Sequence, residues 1–85
     1  VSARTASPGD VLAEMNARLQ ELADDRFVTA FYAVLDRRTR VLTYANAGHP
    51  YPLRYVAATG AVEPLAAQGF MLGVVPDERY RERSV

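Results

Sequence analysis

Residues 27–50, FVTAFYAVLDRRTRVLTYANAGHP, carry the pattern that decides the fold. Phe27 to Leu35 alternates as a strand. One face carries Phe27, Thr29, Phe31, Ala33 and Leu35; the other carries Val28, Ala30, Tyr32 and Val34. Both faces are largely apolar, which predicts a strand covered on both sides. Asp36 to Arg40 is short and charged and suits a hairpin loop, although it lacks an Asn-Gly pair. Val41 to Asn46 returns as a second strand. So short a loop requires antiparallel pairing, because a parallel return needs a long crossover. Asn46-Ala47-Gly48-His49-Pro50 then forms a corner.

Upstream, Ser7-Pro8-Gly9-Asp10 is a helix start. Ser7 can cap, Pro8 fits the first helical position, and Asp10 favours the positive end of the helix dipole. The helix is expected to run to about Asp24. Its apolar stripe is Val11, Leu12, Met15, Leu19 and Leu22, and Glu14 precedes Arg18 in the favourable i, i+4 order. Val1 to Ala6 is expected to be a frayed lead-in, and Asp24-Asp25-Arg26 a break. Downstream, Pro50 and Pro52 lack donor N–H groups and prevent immediate strand pairing. Leu53 to Val56 and Val62 to Leu65 are short strands about a turn at Gly60. Pro64 marks the latter as an edge. Gly69 to Val74 is a buried connection or short strand, Pro76 to Arg79 a turn, and Tyr80 to Val85 the start of a final strand.

Length and charge set the bounds. The 85 residues are one small domain at most. Apolar content of 49% argues against disorder. Ten basic residues, all Arg, balance ten acidic ones, which leaves no electrostatic footprint for nucleic acid or an anionic membrane. No apolar run reaches the length of a membrane span. The chain has no cysteine, so disulfides and thiolate metal sites are excluded, and a reducing compartment is permitted. The expected location is cytoplasmic.

FVTAFYAVLD, a short turn, LTYANAGHP and then LGVVPD together resemble the middle of the SpoIIE-like phosphatases. These are the bacterial branch of the metal-dependent (PPM, type 2C) protein serine/threonine phosphatases. The resemblance runs from about Ser7 to Val85. It implies part of an α-β-β-α sandwich and two divalent ions, Mn²⁺ or Mg²⁺, held by aspartates and activating a water for attack on a phosphoester. It also implies a phosphoserine or phosphothreonine protein as substrate, in this branch a STAS-type anti-sigma-factor antagonist. The family's early Gly-Asp-x-x-Asp and late Asp-Gly segments have no counterpart here. Asp10, Asp24, Asp25, Asp36 and Asp77 all have local roles at a helix start, loop or turn. No metal ligand or catalytic residue is therefore assigned. Residues 1–85 are expected to be the central portion of a catalytic domain, inactive in isolation.

By the same resemblance Thr29, Asn46, Gly48 and His49 border the active site. Gly48 permits a sharp turn and close approach to a ligand. His49 can donate a proton, anchor a hydrogen bond or bind a metal. Plainer readings stand beside these. A lone histidine before proline is often a hydrogen-bonded corner residue, Asn46 can simply satisfy backbone groups at a strand end, and Thr29 suits a strand by propensity. Arg37, Arg38 and Arg40 form a small basic knot at the hairpin tip, read first as a solvated loop and second as a docking patch for an acidic partner.

The expected fold is α+β: one helix packed on an antiparallel sheet of four to five short strands. The expected function is that of a fragment of a protein phosphatase. The alternatives are a non-catalytic binding or sensory module built on the same fold, and an unrelated small α+β protein. Self-association through uncovered sheet edges is also expected.

Overall fold

The computed structural model describes residues 7–22 and 27–85. The expected lead-in at Val1 to Ala6 and the break at Asp24 to Arg26 lie outside them. One helix, α1 (Pro8–Glu21), precedes five strands: β1 (Ala30–Asp36), β2 (Val41–Ala47), β3 (Leu53–Val56), β4 (Ala61–Pro64) and β5 (Arg83–Ser84). The class is α+β.

The strands fall into two sheets rather than the single one expected. β1, β2 and β5 form a three-stranded antiparallel sheet with β2 central, and β3 and β4 pair apart from it. Gly48 at φ +71° turns the chain out of β2. Pro50 and Pro52 then have no N–H with which to rejoin the first sheet.

The two hairpins share one construction. In Asp36–Val41, Arg40 takes φ +62° and its N–H reaches the Asp36 carbonyl at 2.7 Å. In Val56–Ala61, Gly60 takes φ +74° and its N–H reaches the Val56 carbonyl at 2.7 Å. Thr39 and Thr59 stand just before these residues and accept from the Val41 and Ala61 N–H groups. The first hairpin thus turns without Asn-Gly, with Arg40 in the left-handed conformation. Asp36 Oδ1 supports the loop by accepting from the N–H groups of Arg38 and Thr39 at 2.9 and 3.3 Å.

Helix α1 begins as expected: Ser7 caps it, accepting from the Asp10 N–H, and Pro8 opens the first turn. It ends at Glu21 with Leu22 as its cap residue, short of the expected Asp24, which lies outside the described residues. The buried face also differs from the expected stripe. Leu12 is fully buried and Leu19 packs against the core, but Met15 is 40% and Leu22 67% exposed. Asn16 takes the inner position instead, buried to 1% exposure. It can do so because both ends of its amide are satisfied: Nδ2 donates to the Val75 carbonyl at 2.8 Å and Oδ1 accepts the Gly73 N–H at 2.7 Å.

The core has two parts on opposite faces of β2. Leu12, Ala45, Ala47, Leu72 and Tyr80 pack with Ala13, Leu19 and Ala30 under the helix. Tyr44, Leu65 and Ala67 pack with Phe31 and Leu42 on the other face, where the Phe31 and Tyr44 rings lie 5.6 Å apart. Coverage centres on β2, so β1 is not sheltered on both sides as its composition suggests. Tyr32, Val34 and Leu35 are 37, 41 and 58% exposed. Regular β1 pairing starts at Ala30 and not at Phe27; before it, Val28 makes an isolated antiparallel bridge to Leu72. Gly69 to Val74 is a connection with that one bridge rather than a strand, and it is not buried as expected: Leu72 alone is buried, while Phe70 and Val74 are 59 and 46% exposed. β4 lies one residue earlier than expected, and Leu65 instead donates to the Pro52 carbonyl at the hairpin base. Only Arg83–Ser84 of the expected final strand pairs regularly, with Val85 adding two bonds to Leu42.

Candidate functional site

The corner after β2 is built by Asn46. Its side chain is buried and spans three residues to His49. Oδ1 accepts the His49 N–H at 2.7 Å and Nδ2 donates to the His49 carbonyl at 2.9 Å. One amide thereby satisfies both backbone groups of a residue that has left the sheet.

Gly48 makes this turn possible. Its φ of +71° is costly for a residue with a side chain, and an added Cβ would stand 2.6 Å from Met71 Cγ. The connection from Gly69 to Leu72 lies directly on the corner. A Cβ on Gly69 would meet the Asn46 carbonyl oxygen at 2.2 Å, leaving room only for glycine.

The His49 imidazole is exposed on the outer side of this corner. Its Nδ1 lies 3.1 Å from Thr29 Oγ1. Thr29 is positioned by its neighbours, since Val28 bridges Leu72 and Ala30 enters β1. The structure therefore joins Thr29, Asn46 and His49 by hydrogen bonds and places Gly48 at their turn. The bond to Thr29 selects how the ring acts. If the hydroxyl donates to Nδ1, the proton sits on Nε2, which can then donate. If Nδ1–H donates to the hydroxyl, Nε2 can accept.

A shallow depression of about 270 Å³ opens here, lined by Asn46, Gly48, His49, Tyr51, Gln68 and Gly69. Gln68 and Gly69 also line a larger neighbouring depression of about 690 Å³, with Phe70, Asp77, Glu78, Arg79 and Arg81 beyond them. Sequence reasoning assigned Gly69 only to a buried connection or short strand and did not place Gln68, Tyr51 or Met71 at the corner. The spacing of two glycines around an apolar run was the available signal for the close crossing. It does not specify what the run crosses.

The family described as Stage II sporulation protein E (SpoIIE) matches residues 1–85. The chain belongs to the SpoIIE family. It is thus a phosphatase-related domain, and Asn46 to Pro50 is the corner of a SpoIIE-family fold. No curated protein and no solved structure matches it.

The described acidic residues of this SpoIIE chain do not fit a divalent-metal cradle. Among the described residues no three His, Cys, Asp or Glu side chains converge. Several carboxylates are already engaged: Asp36 with its own loop, Glu14 with Arg18, Glu63 with Arg54, and Glu82 with the distant Gly9 N–H. Glu78 accepts from the Phe70 N–H at 3.4 Å. The site's own chemistry is one positioned imidazole beside a hydroxyl and a close-packed backbone. Among the described residues no helix is long and apolar enough to cross a membrane.

Proposed function

We propose that this chain is the central scaffold of a metal-dependent protein serine/threonine phosphatase. Its substrate would be a phosphoserine or phosphothreonine regulatory protein, with a STAS-type anti-sigma-factor antagonist as the favoured class, and its setting the cytoplasm. The observation that carries this reading is the family match along all 85 residues. The Asn46–His49 corner supplies the local chemistry, with His49 held by Thr29 and Asn46 at the rim of a depression. In this reading Mn²⁺ or Mg²⁺ is held by acidic residues other than those described, and the present residues shape and border the reaction site. The 85-residue chain alone is then inactive.

A second reading is a non-catalytic binding or sensory module on the same fold. It is favoured by the engagement of the carboxylates of Glu14, Asp36, Glu63 and Glu82 with other groups of the chain. The test is Mn²⁺-dependent phosphate release from a phosphoserine protein by the full-length gene product, with the 85-residue chain assayed beside it. Turnover by the full-length product alone is the expected result. Silence from both, on a substrate that a control phosphatase hydrolyses, would favour the binding module.

A further inference from the structure

The hydrogen bond between Thr29 and His49 is prepared by backbone on both sides. Val28, just before Thr29, exchanges two bonds with Leu72 at 3.1 and 2.7 Å, and Ala30, just after it, pairs with Ala47. Across the gap, Asn46 occupies both backbone groups of His49. The two side chains thus spring from anchored positions 20 residues apart in sequence. Little freedom is left to lose when they meet, which is what an oriented group requires. Nδ1 is the engaged ring nitrogen, so Nε2 faces away from the hydroxyl. His49 lines the smaller depression and Thr29 does not. That lining holds no carboxylate, and its Tyr51 and Gln68 carry groups that can donate hydrogen bonds. The larger neighbouring depression has Asp77 and Glu78 in its wall. An anionic oxygen therefore meets no like charge in the first and two in the second.

We propose that Thr29 is a positioning residue for His49: its hydroxyl donates to Nδ1, fixes the proton on Nε2, and so presents Nε2–H to a phosphoryl oxygen in the smaller depression. This rests on the phosphatase reading and names the atom of the corner that meets the substrate. The opposite polarity, with Nδ1–H donating to the hydroxyl, would leave Nε2 a bare lone pair. Such a nitrogen repels an anionic oxygen and suits a metal ion instead.

His49 is the one histidine of the chain, so its ring nitrogen signals need no assignment. Long-range proton–nitrogen NMR spectra of the 85-residue chain are recorded in alkaline buffer, where an imidazole is ordinarily neutral. The wild-type ring is expected to show one tautomer, protonated at Nε2. Thr29→Val, folded by circular dichroism, is expected to give the mixed tautomers of a free imidazole, and Thr29→Ser to restore the single form. A wild-type ring protonated at Nδ1 would overturn the proposal, as would a Thr29→Val ring that matches the wild type. In the full-length gene product, with Mn²⁺ and a phosphoserine protein, Thr29→Val is expected to lower kcat about tenfold with little change in KM. Thr29→Ser is expected to recover most of that loss. In a His49→Ala background Thr29→Val is expected to add nothing, because the hydroxyl acts through the ring; additive losses would also overturn the proposal. A full-length product silent on this substrate would sink the phosphatase reading and the phosphoryl contact with it, whereas the spectra decide the role of Thr29 on their own.

Discussion

Asn46 shows how much one buried amide can hold. It satisfies both backbone groups of His49 while lying almost wholly out of solvent. Asn46→Ala removes two hydrogen bonds and leaves partly buried backbone groups without partners. The expected loss is about 2–3 kcal/mol of unfolding free energy in urea. Thr29→Val, on the exposed side of the same corner, is expected to cost under about 1 kcal/mol. Equal losses would show that the corner is held by something other than the amide. Asn46 and His49 were legible in the sequence as a corner, because Asn at a strand end, Gly and then Pro form a local grammar. The contact of Gly69 with the Asn46 carbonyl was not. It links positions 23 residues apart in sequence and depends on the path of a whole connection. Tyr80 has the opposite character. Its hydroxyl is buried and lacks a hydrogen-bond partner among the described residues. Burial, and then the nearby charge of Glu78, raise its pKa above the usual 10.0. The native state therefore keeps the Tyr80 proton where the unfolded chain has begun to release it. The group's contribution to stability is full below about pH 10 and falls as pH rises through the raised native value. Tyr80→Phe is expected to stabilise the chain by about 1 kcal/mol at neutral pH and to reduce the loss of stability between about pH 8 and pH 10.5. Denaturation midpoints at the two pH values measure both effects. An unchanged slope would remove Tyr80 as its source.

At the scale of elements, the two hairpins share a loop design and differ in their support. β1–β2 leads into the core, whereas among the described residues neither β3 nor β4 packs against the helix or the three-stranded sheet. Leu53, Tyr55 and Val62 are 69, 67 and 59% exposed. A two-stranded hairpin has little stability of its own. Amides of β3 and β4 are expected to exchange with deuterium well before those of β2, by local opening that leaves the core intact. Exchange of all strands in one step would show that the hairpin is bound into the global fold. The sequence marked both hairpins because turn residues and alternation are local signals. It misplaced the helix stripe because Met15 and Leu22 are hydrophobic and Asn16 is not. Burial of Asn16 is rewarded only by two backbone groups nearly sixty residues away, at Gly73 and Val75.

For the whole molecule, the α+β class followed from one amphipathic helix and a series of short alternating runs, and the structure has those parts. The division into two sheets did not follow from pattern alone. It results from three positions, Gly48, Pro50 and Pro52, acting in succession on the chain direction. The shelter predicted for β1 failed because composition reports that a strand can be buried and not that anything covers it.

The long-range hydrogen-bond partners of α1 lie late in the sequence. Gly9 meets Glu82 across 73 residues, and Asn16 meets Val75 and Gly73 across 59 and 57. A ribosome delivers the helix before these partners. At typical elongation rates of about 5–20 residues per second, the nascent helix waits some seconds before its buried asparagine can be satisfied. Closing so long a loop carries an entropic cost before any contact is gained, which slows folding relative to chains rich in local contacts. The chain is therefore exposed for an interval during its own synthesis, when the first hairpin is complete and the helix that packs on it still lacks these hydrogen-bond partners.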